Sequence, residues 1–229
     1  MAIHFQHAVE LLKKQVLTLG AMVEENVGRA VKAAMSGDEN LAMTAIAYDD
    51  EIDRMEIIVE EECLKLLALY QPVAIDLRFV VAVLKMNSDL ERIGDLAVNI
   101  AERAVFLSKS KVVINNEFNF PQMFDKARSM LKKSIDALVE SDALLAAAVC
   151  NADDEVDAFN RQFYDELKTQ VKKDPAKIDV LLHLLTVSRS IERIGDHATN
   201  IAEDVIYMVE GQIVRHKTED FKSDQPVVK

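Results

Sequence analysis

The sequence predicts an all-α protein built as two pseudo-symmetric, antiparallel three-helix bundles, six long helices in all. Three observations predict this. Apolar residues recur at three- and four-residue intervals along most of the 229-residue chain. Gly, Pro and aromatic residues are scarce and Trp is absent, a composition that favours helix over sheet. Finally, the string Glu91-Arg92-Ile93-Gly94-Asp95 is repeated as Glu192-Arg193-Ile194-Gly195-Asp196, each copy followed by Asn and Ile-Ala-Glu.

The first helix is predicted from about Phe5 to Met35, with Val9, Leu12, Val16, Leu19, Val23, Val27 and Val31 on one stripe. Ser36-Gly37-Asp38 stops it: Gly37 suits the position after a helix end and Asp38 can cap the next N-terminus. A second helix is predicted over Glu39 to Leu69. Gln71-Pro72 ends it, since proline cannot continue a helix but fits the first turn of the next, and a third helix is predicted over roughly Val73 to Ser108. Lys109 to Pro121 has no stripe and is predicted as a linker. A fourth helix is predicted over Gln122 to Glu140, a fifth from the Ser141-Asp142 cap to Lys172, and a sixth from Ala176 to Gly211 after Asp174-Pro175.

These boundaries divide the chain into a first repeat, residues 1–110, a second, residues 120–212, and a flexible tail, residues 213–229. Asp49-Asp50-Glu51-Ile52-Asp53 matches Asp153-Asp154-Glu155-Val156-Asp157, Pro72 matches Pro175 and Asp76 matches Asp179.

Composition narrows the function. A net charge of −12 lacks the basic footprint of a general nucleic-acid binder and suits cation binding or a solvated acidic surface. Met1 to Lys14 is amphipathic and charged, unlike a signal peptide, and Leu66 to Ile75 is far too short to span a membrane. Cys63 and Cys150 stand apart among apolar residues, as small core side chains in a reducing cytoplasm.

The chemistry lies in paired acids. Asp49 with Asp53, Glu91 with Asp95, Asp153 with Asp157 and Glu192 with Asp196 are each spaced i, i+4, which sets two carboxylates on one helix face about 5–6 Å apart. Such like charges repel and call for solvent, a basic neighbour or a cation. Arg92 and Arg193 are the basic neighbours of the bland reading; four pairs at matching places in two repeats favour the cation. Leu90, Ile93, Ala97 and Ile100 put Glu91 and Asp95 at the core margin, and Ile191, Ile194, Ala198 and Ile201 do the same in the second copy, where unpaired charge is costly. Gly94 and Gly195 each give up about 1 kcal/mol of helix propensity and imply a close approach to the backbone. Oxygen-only donors suit Mg, Ca or Mn, and bridging carboxylates in bundles also hold iron pairs.

Asn99, Asn200, Glu102 and Glu203 are weaker candidates for outer ligands. Glu56 and Glu60 face Asn160 and Tyr164 in the other copy and fail the repeat comparison. His183 is expected as a hydrogen-bonded core residue and His197 as a polar margin residue. No Glu-x-x-His, Gly-rich phosphate loop or nucleophile–base arrangement occurs. A carboxylate-bridged di-metal enzyme, an oxidase or phosphohydrolase, stands as the alternative to a non-enzymatic regulator.

Gln71-Pro72-Val73-Ala74 with Asp76-Leu77-Arg78, then Glu91-Arg92-Ile93-Gly94-Asp95 with Asn99-Ile100-Ala101, resemble the PhoU family of phosphate-signalling regulators, and Glu192 to Glu203 carry the same pattern. The resemblance spans essentially the whole chain. It implies six helices in two repeats and multinuclear iron or zinc clusters on acid-x-x-x-Asp motifs, here Asp49, Asp53, Glu91, Asp95, Asp153, Asp157, Glu192 and Asp196. It also implies a negative regulator that links a phosphate ABC transporter and its ATPase to a sensor histidine kinase. A cytoplasmic protein, peripheral to the membrane through its partners and assembled as a homodimer, is the expectation. The second repeat departs at Lys177-Ile178-Asp179-Val180-Leu181, which stands where Ala74-Ile75-Asp76-Leu77-Arg78 does, so a partner-contact role for Arg78 has no second copy.

Overall fold

A computed structural model describes residues 2–110 and 120–211. Most of the predicted linker and the tail lie outside the described residues. The elements are α1 (Ala2–Ser36), α2 (Glu39–Tyr70), α3 (Ala74–Lys109), α4 (Phe120–Glu140), α5 (Ala143–Lys173), a 3₁₀ turn (Pro175–Lys177) and α6 (Ile178–Glu210). The described residues contain no strand.

Caps and turns end the helices as their residues dictate. Asp38 accepts the Leu41 amide at 3.0 Å, and Asp142 accepts the amides of Leu144 and Leu145 at 2.9 Å each. Gly37 takes φ +67° and donates its amide to Ala33 O, closing α1. Three details differ from the sequence reading. Pro72 lies in the connection between α2 and α3, because Gln71 turns left-handed at φ 46° and α3 begins only at Ala74. Pro175 opens a 3₁₀ turn capped by Asp174 before α6 begins. Pro121 lies within the first turn of α4, where its missing N–H costs no helical bond.

The predicted stripe of α1 is the core of the first bundle: Leu12, Val16, Leu19, Val23, Val27 and Val31 are all buried, with Val9 at the margin. Helices α1, α2 and α3 pack mutually, as do α4, α5 and α6, and the buried side chains of both bundles join in one continuous core. Asn26, fully buried, donates to Ala45 O at 3.1 Å and ties α1 to α2.

The two bundles meet through α3 and α6, with α1 against α4 beside them. Both pairs run antiparallel. Along α3, Arg78 Nε donates to Met208 O at 2.8 Å, Lys85 pairs with the buried Asp204 at 3.0 Å, and Asp89 faces His197 Nδ1 at 2.8 Å. Further on, Phe106 stacks on His183 with centroids 3.6 Å apart. His183 is thus half-buried against a ring, and its Nδ1 is buried without a hydrogen-bond partner, contrary to the bonded core histidine expected. Arg128 pairs with Glu24 at 2.7 Å between α4 and α1. Gly20 permits that contact: a Cβ there would lie 2.5 Å from Ile135 Cδ1.

Truncating Ile100, fully buried at the centre of the joined core, is expected to cost about 2–5 kcal/mol as Ile100→Ala. Removing the bidentate cap with Asp142→Ala is expected to cost about 1 kcal/mol. Urea denaturation of both variants measures the ratio, and equal losses would contradict the packing described.

Candidate metal centre

Each acid cluster sits where the second and third helices of a bundle run antiparallel. On α2, Ile52 and Val59 turn inward and Asp49, Asp53 and Glu56 line the neighbouring edge. On α3, Leu90, Ile93, Ala97 and Ile100 are buried and Glu91 and Asp95 border them. The arrangement recurs on α5 and α6, with Val156 buried beside Asp153 and Asp157, and Ile191 and Ile194 buried beside Glu192 and Asp196.

The repeated glycine explains how the two helices come together. A Cβ on Gly94 would lie 3.1 Å from Asp49 Oδ1 and 3.4 Å from Ile52 Cγ2. On Gly195 it would lie 3.5 Å from both Asp153 Oδ1 and Val156 Cγ1. The close approach that the sequence implied is therefore made by the aspartate of the facing helix, whose carboxylate lies over the glycine.

The electrostatics follow from that placement. Burial, and then the charges of Asp53, Asp95 and Glu91, push Asp49 from 3.8 up to about 6. Burial, then Asp196 and Asp157, push Asp153 up to about 6 as well. Glu91 is raised by burial and by Asp95, with Arg92 opposing; Glu192 is raised by burial, Asp196, Asp157 and Asp153, with Arg189 opposing. Asp196 is raised by burial and Asp157 against the pull of His197 and Arg193. All eight sequence candidates thus gather into two groups of four, one per bundle.

Arginine relieves this repulsion only in part. Arg92 reaches Glu91 at 3.5 Å and Asp95 at 3.4 Å, and Arg161 reaches Asp157 at 3.3 Å; these are long contacts on exposed guanidiniums, of the kind that contributes little. The donor set itself, carboxylate oxygens from two facing helices, fits a hard or borderline cation. Asn99, one turn beyond Asp95, adds an orphaned amide oxygen: its Oδ1 is buried without a hydrogen-bond partner. Its counterpart Asn200 instead donates to Asp89 at 3.3 Å. Among the described residues no three Asp, Glu, His or Cys side chains yet converge on one ion-sized point. Coordination requires side-chain rotation, for which the exposed Asp53, Asp95 and Asp196 have room.

Glu56, which fails the repeat comparison, belongs to the first group. Asn87, 2% exposed, donates to Glu56 Oε1 at 2.7 Å and to its carbonyl at 3.0 Å. Burial, Glu60, Glu91 and Asp53 raise its pKa. The equivalent contact in the second bundle is Ser188 Oγ donating to Asn160 Oδ1 at 2.8 Å. The signal present in the sequence was the continuation of the Asp49, Asp53 edge by three residues, with Asn87 one turn before Glu91.

His197, paired with Asp89, serves the contact between bundles, and Arg78 is held by the end of α6. Cys63 and Cys150 are free thiols pushed up to about 12, by burial first, and are inert as ligands or nucleophiles.

The PhoU domain family matches residues 16–104 and, a second time, residues 120–205. The chain is 41% identical over 212 residues to the phosphate-specific transport system accessory protein PhoU homolog of Aquifex aeolicus, covering 91% of this chain and 94% of that one. It is 38% identical to the homolog of Pseudomonas putida, over 93% of this chain and 83% of the other. Among solved structures, PhoU from Pseudomonas aeruginosa superposes with a TM-score of 0.86 at 38% identity, over 91% of this chain and all of that one. The phosphate transport system regulatory protein PhoU from Streptococcus pneumoniae superposes at 0.84 and 30% identity, over 92% and 99%.

A carboxylate whose folded-state pKa lies above its unfolded value binds its proton more tightly in the folded protein. Its contribution opposes folding above the raised pKa and fades as pH falls through the window from about 6 to 3.8. Metal-free protein is expected to gain stability from Asp49 and Asp153 as pH drops from 7 towards 5. Asp49→Asn combined with Asp153→Asn should flatten that dependence. Thermal denaturation across this range, with chelator present, gives the comparison; identical slopes for variant and parent would refute the assignment.

Proposed function

Because the chain belongs to the PhoU family, we propose that it is a regulatory accessory protein of phosphate-specific transport that carries a cation cluster in each of its two bundles. The observation that supports this most is the double family match, which runs through both bundles and includes all eight acids. The named relatives are accessory and regulatory proteins of phosphate transport, which favours the regulatory reading over the di-metal oxidase or phosphohydrolase.

In the finer reading the protein acts as a negative regulator. It contacts the ATPase of a phosphate ABC transporter and a sensor histidine kinase, so that sufficient phosphate damps both uptake and starvation gene expression. No helix among the described residues is long and apolar enough to cross a membrane. Contact with those partners would then be peripheral, from the cytoplasmic side, with the protein as a homodimer.

Asp49, Asp53, Glu91 and Asp95 would hold iron or zinc in the first bundle, and Asp153, Asp157, Glu192 and Asp196 in the second; the family resemblance favours these two over the Mg, Ca or Mn that carboxylate oxygens alone would also suit. A bound ion supplies positive charge. The chain supplies carboxylates already crowded by one another and partly withdrawn from water, so that their repulsion favours a cation as it favours a proton.

Protein purified without chelator is expected to contain at least one transition-metal ion per chain by elemental analysis, and Asp95→Ala with Asp196→Ala should remove it. Metal at a hundredfold excess over its Kd should stabilise the parent by about 2.7 kcal/mol. Unchanged metal content in the double variant would end the metal reading. Deleting the protein should derepress phosphate-starvation genes in high phosphate; continued repression would end the regulatory one.

A further inference from the structure

The two bundles share a backbone plan but not a surface. Beside the second acid cluster, α5 and α6 enclose an open cavity of about 340 Å³ lined by Asn160, Arg161, Tyr164, Asp165, Leu185 and Arg189. The repeat places Glu56, Ile57, Glu60, Glu61, Leu84 and Ser88 at the corresponding positions of the first bundle. One copy of this face thus carries two guanidiniums and a single acid, and the other carries three acids and no base. Nothing in the shared fold requires that inversion.

Contacts around the cavity neutralise its one acid and leave donors on both guanidiniums. Asp165 is paired from outside by Lys168 at 3.2 Å, and the Lys168 ammonium also lies 4.2 Å from the Tyr164 ring centroid. Asn160 Oδ1 accepts from Ser188, so its NH₂ group is the end that can donate to a ligand. Arg161 spends one nitrogen on Asp157 at 3.3 Å, and a guanidinium has five N–H donors in a fixed fork. Arg189 stands within electrostatic reach of Glu192 one turn on.

We propose that this cavity binds a small organic phosphate. Two guanidiniums match the charge of a phosphomonoester, about −1.5 to −2 at neutral pH, and the N–H fork of a guanidinium is suited to phosphate oxygens. A single carboxylate would satisfy only one of them. The volume falls at the lower end of ligand pockets, about 300–1,000 Å³, and exceeds what a bare phosphate fills. Leu185 and the Tyr164 ring provide apolar wall for the organic part.

Titration calorimetry on the full chain, freed of metal with chelator so that the result is independent of the acid clusters, tests this with adenosine 5′-monophosphate, inorganic phosphate and adenosine. The monophosphate is expected to bind more tightly than inorganic phosphate, and adenosine to give no binding. Arg161→Gln with Arg189→Gln should weaken the monophosphate roughly tenfold or more, while Glu61→Gln, at the place in the first bundle equivalent to Asp165, should leave it unchanged. The double variant's melting curve, expected to match the parent's because both side chains are exposed, guards against a folding defect. The proposal is overturned if neither the monophosphate nor inorganic phosphate binds at millimolar concentration. Undiminished affinity in the double variant overturns it too, as does adenosine binding as well as its monophosphate. Inorganic phosphate binding the more tightly of the two would overturn the ester in favour of a free anion.

Discussion

Packing of α3 against α6 is the constraint on which the rest of the molecule depends. Each of these helices has neighbours on several sides: α1, α2 and α6 around α3, and α3, α4 and α5 around α6. A helix so enclosed must be apolar over most of its circumference, and both are, with runs such as Leu90, Ile93, Ala97, Ile100 and Ile191, Ile194, Ala198, Ile201 fully or almost fully buried. What remains to solvent is a narrow edge. Glu91, Asp95, Glu192 and Asp196 occupy that edge, which is why they are partly dehydrated while still reachable from water. The polar contacts at the α3–α6 seam, Lys85 with Asp204 and Asp89 with His197, lie outside these runs and fix the antiparallel register.

The glycine in each repeated motif turns that edge into a cluster. With alanine in its place a Cβ would press on the aspartate of the facing helix at Gly94, which would have to give by a few tenths of an ångström, whereas at Gly195 it would make ordinary contact. A position that loses helix propensity thereby sets the distance between two charged edges in the first bundle. The difference between the two approaches, together with Glu56 and the orphaned oxygen of Asn99 on the first side only, makes the two acid groups unequal in charge and in the oxygens they gather.

Much of this was legible in the sequence, and the reason is physical. Long amphipathic helices announce themselves by period, and the predicted α1 stripe is buried nearly residue for residue. Asp38, Asp142 and Asp174 signalled their caps because a short acid before an apolar run has little else to do. The eight acids could be singled out because duplication filters out incidental charge. That same filter rejected Glu56, whose partner Asn87 lies 31 positions away and whose counterpart is Asn160. Asn26 bonding the Ala45 carbonyl, His183 stacked on Phe106 and Arg78 reaching Met208 O were equally invisible, since each depends on which helices become neighbours and carries no local period. Pro72 was misplaced because a proline can follow a helix end as readily as begin the next, and only the left-handed turn at Gln71 decides.

The seams that carry the acids are distinct from the seams that join the bundles. The clusters lie between α2 and α3 and between α5 and α6, whereas the halves are held by α3 with α6 and by α1 with α4. A proton added to Asp49 or Asp153 relieves repulsion between an outer helix and its inner neighbour. The outer helices α2 and α5 carry exposed apolar side chains, Ile57, Ile58 and Leu64 on the first and Leu144 and Tyr164 on the second, as α1, α3 and α6 also do. Each acid group is thus tied by position to one outer helix, with the inner pair as the frame against which that helix is set.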